Sequence, residues 1–234
     1  MNNLKNVKGI FFDIGWTLCR PATNSWLIPL KAKEYFNQED LNNIEQNKVK
    51  AAFKEAYTYL NSYHLVQTIQ EQYDRFNHYY QIIASSLPEL NLNSEKITAI
   101  VDDLVYNYDN FILFPNVKEV LATLSKKYKL GIISDTYPST KKVLAHFDIL
   151  QYFTAITFSC ELNAFKPNSI MYQDAIHKIN IKSEETVFID DFLTNLEGAN
   201  KLGIIPILIT MRPNSDQETN FLKISKIEDL LHYL

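Results

Sequence analysis

The chain has 234 residues, 46% of them hydrophobic, enough for one large domain or for a core with a smaller insert. A formal net charge of -4 and a pI near 5.8 provide no overall basic field, which argues against a nucleic-acid partner and for a small-molecule one. The two cysteines, Cys19 and Cys160, form no CxxC pair and no even framework, so a disulfide scaffold and a thiolate metal site are both disfavoured.

The amino-terminal stretch MNNLKNVKGIFF has an apolar run too short for a signal-peptide core, and no run of about 18 apolar residues follows anywhere. The expectation is a soluble cytoplasmic protein without a membrane partner. GIFF reads as a buried strand that ends at Asp13. Residues 26–110 are Tyr- and Gln-rich and almost free of Gly and Pro until Pro88. Within them KAKEYF, IEQNKVKAAFKEAYTYL, TIQEQYDRFNHYYQIIASSL and SEKITAIVDDLVYNY favour three or four helices, each polar on one face and apolar on the other, as a small bundle requires.

From about Asn116 onward the pattern alternates. NVKEVLATLSKKY places Val117, Val120, Leu121 and Leu124 at helical spacing after Pro115. LGIISD is then a strand, KKVLAHFDIL a helix, AITFS a strand, NSIMYQDAIHKI a helix and TVFID a strand. NLEGANKL reads as a helix stopped at Gly203, and IPILIT as a strand. Such alternation requires a largely parallel sheet with flanking helices. SKIEDLLHYL carries a capping-box pattern of Ser225 and Glu228 and predicts a terminal helix docked on the core.

Four segments carry the chemistry: GIFFDIGWT around Asp13, GIISDT around Ser134, FKP around Lys166 and VFIDDFLTN around Asp191. Three are apolar strands ending in carboxylates or hydroxyls, so they deliver polar groups to the carboxyl edge of one sheet, where open α/β sheets bind ligands. Aspartates suit a hard divalent cation, a hydroxyl and a lysine suit an anion, and one aspartate is left as nucleophile; together these make a phosphoryl-transfer site. Ser134 offers its hydroxyl and the N–H of Asp135 to a phosphate oxygen, and Lys166 brings a positive charge. Strand alternation sends Asp190 and Asp191 to opposite sides, so only one of them should ligate a metal directly.

In order and residue type these segments resemble the haloacid dehalogenase-like (HAD) hydrolase superfamily, and the resemblance extends over the whole chain. It implies a three-layer Rossmann-like parallel sheet in residues 1–18 and 112–234, with an α-helical cap at 22–110 inserted after the first strand. It further implies magnesium-dependent hydrolysis of a small phosphorylated metabolite through an aspartyl-phosphate. By that comparison Asp13 is the nucleophile and a metal ligand, and the Gly15 carbonyl, Asp191 and Asn195 complete the metal set. Asp190 then holds Lys166, while Ser134, Asp135, Lys166, Ile14 and Gly15 form the phosphate-binding group.

One position departs from the pattern. Most phosphatases of the superfamily read DxDxT, with the second Asp protonating the leaving oxygen; here Gly15 takes that place in Asp13-Ile14-Gly15-Trp16-Thr17. The departure keeps two alternatives in view, a metal-independent 2-haloacid dehalogenase and a catalytically weakened phosphometabolite-binding protein. The paired acids with the following Asn195 argue against the first. Trp16 and Arg20 flank the site in sequence, and His64, Arg75 and His78 of the helical segment are candidate substrate contacts or replacement proton donors.

Overall fold

The computed structural model describes residues 4–62, 65–213 and 218–234, so His64 lies outside the described residues. Its elements run β1 Gly9–Phe12, β2 Cys19–Pro21, α1 Gln38–Asn42, α2 Gln46–Ser62, α3 Ile69–Ser86, α4 Ser94–Tyr106, β3 Phe111–Leu113, α5 Val117–Leu124 and β4 Lys129–Ser134. After these come α6 Thr140–His146, β5 Phe153–Phe158, α7 Ser159–Leu162, α8 Ser169–Ile179, β6 Thr186–Asp190, α9 Leu193–Asn200, β7 Ile205–Ile209, β8 Leu222–Ile224 and α10 Leu230–Tyr233. No helix among the described residues is long and apolar enough to cross a membrane.

The chain divides into two compact units. One comprises Met1–Arg20, Leu113–Thr136 and Thr140–Leu234; the other comprises Pro21–Ile112 with Tyr137–Ser139. The first contains a six-stranded sheet in the order β5-β4-β1-β6-β7-β8, and every pairing in it is parallel. Its central strands GIFF and TVFID are buried along their whole length, as strands covered by helices on both faces are, with only Thr186 and Asp190 polar. On one face Phe11, Ile133 and Phe188 of the sheet meet Met171, Tyr172 and Ala175 of α8 and Leu196 and Ala199 of α9. Gly131 lies so close to the Phe11 ring that an added Cβ would stand 2.7 Å from it.

Strand order fixes the site. β1 pairs with β4 on one side and with β6 on the other, with Phe12 level with Ile132 and Ile189. The chain runs outward from β1 to β4 and β5, then returns to β6 beside β1. That reversal leaves a crevice at the carboxyl ends, where Asp13, Ser134 and Asp190 emerge together. At the opposite strand ends, the lysines around a basin of about 620 Å³ are mostly engaged. Lys8 pairs with Glu185, Lys129 Nζ donates to the Ile179 carbonyl, and Lys127 Nζ donates to the Leu234 carbonyl.

The second unit is helical. Ala52, Ala56 and Leu60 of α2, Phe76, Tyr80 and Ile83 of α3, and Ile97, Ile100 and Leu104 of α4 share its core. Thr68 caps α3 in a reciprocal arrangement with Glu71, and Asn93 caps α4. KAKEYF, expected as a helix, is a short 3-10 turn at Leu30–Glu34. Tyr137–Ser139 belong here because Gln72, 2% exposed, bonds both the Ser139 hydroxyl and its backbone N–H, and Tyr137 packs edge-on against Phe76.

Three short strands, β2, β3 and β8, have no counterpart in the sequence reading; at three residues each they are too short to show a period. The expected terminal helix is a 3-10 turn at Ile227–Asp229 followed by the single turn of α10. Its cap also differs. The Asp229 carboxylate, not Glu228, accepts from the backbone and hydroxyl of Ser225, while Glu228 accepts from Asn116, because the turn starts one residue later than the pattern implies: its N-cap is Lys226, and the third residue on, Asp229, reaches back to Lys226 and Ser225.

Candidate active site

Asp13 follows β1, and its backbone N–H continues the ladder by donating to the Ile189 carbonyl at 2.9 Å. Its side chain is nearly buried. The chain then turns sharply: the Ile14 carbonyl accepts from Leu18 and Cys19, and Trp16 N–H donates to Cys19 O at 2.7 Å. Trp16 sits at φ 57, in the left-handed region that a bulky residue rarely occupies, with its ring centre 6.4 Å from that of Phe114. Gly15 is only half-buried, and it forms an isolated bridge with Cys19. Thr17 is fully buried, and its hydroxyl has no hydrogen-bond partner among the described residues.

Lys166 organises the carboxylates. Its Nζ donates to Asp13 Oδ1 and Asp190 Oδ2, each at 2.7 Å, and its backbone N–H donates to Asp135 Oδ1 at 3.0 Å. Burial alone would lower the Lys166 ammonium, but Asp13 and Asp190 outweigh it and hold the group above its ordinary value, so the lysine stays charged. Asp190 is wholly buried. Besides Lys166 it accepts from Phe192 N–H at 2.7 Å and from Asn195 Nδ2 at 3.1 and 3.0 Å. Asn195 is held in turn through its carbonyl, which accepts from the Tyr172 hydroxyl at 2.8 Å.

Asp191 stands differently. It is 3% exposed, and its contact with Arg212 is long, Nη1 to Oδ2 at 3.5 Å. Burial, reinforced by the charges of Asp13 and Asp190, pushes its carboxyl up to about 8 against the pull of Arg212 and Lys166. Asp13, Asp190 and Asp191 can each offer a carboxylate oxygen with all three atoms within 4.8 Å of one another. An all-oxygen cluster carrying more negative charge than its lysine offsets fits a hard divalent cation, which would relieve the crowding felt at Asp191. Since Asp190 is taken up by Lys166, Asn195 and Phe192, the oxygens left for such an ion are those of Asp13 and Asp191.

The remaining candidates fall into place as follows. Ser134 is buried at the end of β4, and Asp135 opens to solvent next to it. Arg20 is half-buried in β2. In the helical unit, Arg75 donates to the Tyr59 and Leu60 carbonyls near the end of α2, and His78 lies exposed with its ring 4.4 Å from that of Tyr59. Both therefore make structural contacts inside that unit. Arg212 went unnoticed in the sequence: it lies in the loop after β7, and the pairing of β7 with β6 puts that loop beside Asp191, 3.5 Å from Arg212 Nη1.

The profile of the family described as haloacid dehalogenase-like hydrolase matches residues 21–209, a stretch that begins beyond Asp13 and takes in Ser134, Lys166 and Asp191. Glyceraldehyde 3-phosphate phosphatase of Methanothermobacter thermautotrophicus (strain ATCC 29096 / DSM 1053 / JCM 10044 / NBRC 100330 / Delta H) is 25% identical over 236 residues, covering 96% of each chain. Among solved structures, an HAD phosphatase from Thermococcus onnurineus aligns with a TM-score of 0.65 at 20% identity, over 97% of each chain. The L-2-haloacid dehalogenase from Xanthobacter autotrophicus aligns with a TM-score of 0.64 at 15% identity, again over 97% of each chain. The fold is thus shared by enzymes with two different named activities, and the site must decide between them.

Proposed function

Because the chain belongs to the haloacid dehalogenase-like hydrolase family, we propose that it hydrolyses a small phosphorylated metabolite, with Asp13 as nucleophile and Mg2+ as cofactor. The observation that carries this reading is the buried triad of Asp13, Asp190 and Asp191, the first two of them joined through Lys166. In this reading residues 1–18 and 112–234 are the catalytic core and residues 22–110 its cap domain.

Asp13 gives one oxygen to Lys166, so the ammonium orients the carboxylate. A carboxylate oxygen attacks phosphorus, the ester P–O bond breaks, and the leaving oxygen departs with the bond electrons and takes up a proton. Water then attacks the aspartyl-phosphate at phosphorus, releasing inorganic phosphate and restoring the carboxylate. Ser134 and the N–H of Asp135 receive the phosphoryl oxygens, and Lys166 offsets charge that builds on them. Asp190 and Asn195 keep Lys166 in place. Magnesium, held by Asp13, the Gly15 carbonyl and Asp191 with Asn195 close by, would supply further charge neutralisation at the transferring group.

Gly15 withholds the side chain that would protonate the leaving oxygen, a contribution commonly worth about 10²–10⁴-fold in rate. Aryl and acyl phosphates should therefore react much faster than alkyl esters of similar size. Gly15→Asp should flatten that dependence on leaving-group pKa.

The test is a panel of phosphorylated metabolites assayed with Mg2+ and with chelator, on the wild-type protein and Asp13→Asn. The substrate named for the Methanothermobacter relative, glyceraldehyde 3-phosphate, is the first compound to include. Phosphate release that needs both Mg2+ and Asp13 is the expected result. Undiminished release in chelator, or by Asp13→Asn, would exclude the mechanism.

A further inference from the structure

The sheet edge holds a fourth carboxylate that the hydrolytic cycle above leaves unused. Asp135 directly follows Ser134, is exposed, and stands outside the triad of Asp13, Asp190 and Asp191. A carboxylate beside a phosphate-binding hydroxyl repels the anion that the hydroxyl receives, so an acid here weakens binding unless the chemistry uses it. Asp135 Oδ1 accepts from the Lys166 backbone N–H at 3.0 Å, and Lys166 Nζ bonds Asp13 at 2.7 Å, so one lysine orients both carboxylates. Among the described residues Asp135 Oδ2 accepts no hydrogen bond. Phe12 is level with Ile132, so Asp13 stands one residue and Asp135 three residues beyond a level pair on neighbouring strands. Counted along the strand direction at about 3.3 Å per residue, Asp135 lies roughly 7 Å further out than Asp13, room for a phosphoryl group and a water behind it.

We propose that Asp135 is the general base of the second half-reaction: its Oδ2 takes a proton from the water that hydrolyses the aspartyl-phosphate on Asp13. The inference rests on the aspartyl-phosphate reading above and adds to it the group that activates the water. The water oxygen bonds phosphorus as its proton passes to Asp135. The P–O bond to Asp13 breaks with its electrons on the Asp13 carboxylate, hydrogen phosphate leaves, and Asp135 returns the proton to solvent. Partial burial of the Asp135 carboxyl raises it, Lys166 opposes the rise, Asp13 and Asp190 add to it, and the balance stands at about 6. At neutral pH the group is therefore mostly an anion, ready to accept a proton. An ionised Asp135 donates nothing to the leaving oxygen of the first step, so the leaving-group dependence expected from Gly15 stands.

The experiment is rapid-quench kinetics with 4-nitrophenyl phosphate and saturating Mg2+ on the wild-type protein, Asp135→Asn, Asp135→Glu and Asp13→Asn. It reads nitrophenol release, phosphate release and the intact mass of the protein. Asp135→Asn keeps an oxygen for the Lys166 N–H and its own backbone N–H for the substrate. It should therefore release a stoichiometric burst of nitrophenol at close to the wild-type rate and then stall as phosphorylated protein, with phosphate release slowed about 100-fold. Wild-type phosphate release should fall as the pH drops through about 6, where the base takes up a proton; Asp135→Asn should lose that fall and Asp135→Glu should retain it. Phosphate release by Asp135→Asn at the wild-type rate, or slow nitrophenol release without phosphorylated protein, would overturn the inference while leaving Asp13 as nucleophile. Nitrophenol release by Asp13→Asn at the wild-type rate, or none by the wild-type protein, would overturn the aspartyl-phosphate reading and the inference with it.

Discussion

Replacing Lys166 by Met keeps the unbranched side-chain length and removes the charge, which makes it the sharpest probe of the buried cluster. In the wild-type protein the ammonium bonds Asp13 and Asp190, whose side chains are 9% and 0% exposed. Without it two carboxylates share a poorly solvated space and no cation bonds either. Breaking a buried pair by removing one partner costs about 3–5 kcal/mol. The lower end applies here, because Asn195 and the Phe192 N–H still bond Asp190. The loss should also depend on pH. Burial already raises the Asp190 carboxyl to about 6, and losing Lys166 removes the charge that opposes that rise, so its contribution is fully present below about pH 4 and disappears as the pH rises through the folded value. The gap between variant and wild type should therefore be small near pH 4.5 and largest near pH 8. Urea denaturation followed by circular dichroism at several pH values, with chelator present, measures it directly. Adding Asp190→Asn to Lys166→Met should recover about half of the loss, since one of the two stranded charges is then gone. A gap under about 1 kcal/mol at pH 8, or one that does not change between pH 4.5 and 8, would refute the reasoning.

Asp191, raised to about 8, stabilises the fold less and less as the pH climbs from the ordinary carboxylate range through that value. The metal-free protein should thus melt at a lower temperature at pH 8.5 than at pH 6, and millimolar Mg2+ should recover more of the loss at the higher pH; equal Mg2+ shifts at both values would count against the coupling. Thr17→Val removes a buried hydroxyl that has no partner among the described residues, a group whose burial costs about 1–3 kcal/mol, so the variant should be neutral or up to about 1 kcal/mol more stable. A clear drop in melting temperature would show that the hydroxyl is used. Gly198→Ala places a methyl 2.7 Å from Pro167 Cβ, 2.9 Å from the Tyr172 hydroxyl and 3.1 Å from the Pro167 carbonyl. Overpacking there should cost about 1–3 kcal/mol and lower kcat, because Pro167 adjoins Lys166 and Tyr172 holds Asn195; wild-type kcat and melting temperature together would contradict this.

Local chemistry alone revealed much of this protein. GIFF, LGII and VFI are short continuous apolar runs of the kind a strand covered on both faces carries, and helical spacing between them requires parallel crossovers. Polar residues closing those runs mark Asp13, Ser134 and Asp190 as groups leaving the core at a sheet edge. What no window of sequence contains is which strands become neighbours. Placing β1 between β4 and β6 is a decision of the whole chain, and it alone brings Asp13 within reach of Asp190 and lets Lys166, 153 residues after Asp13, bridge the two. Arg212 and the anchoring of Ser139 by Gln72 have the same origin: polar loop residues acquire a role only from the neighbour that tertiary packing sets beside them. The three-residue strands β2, β3 and β8 likewise exist because longer segments bring their backbones alongside one another, since three residues carry too little pattern of their own to specify a partner.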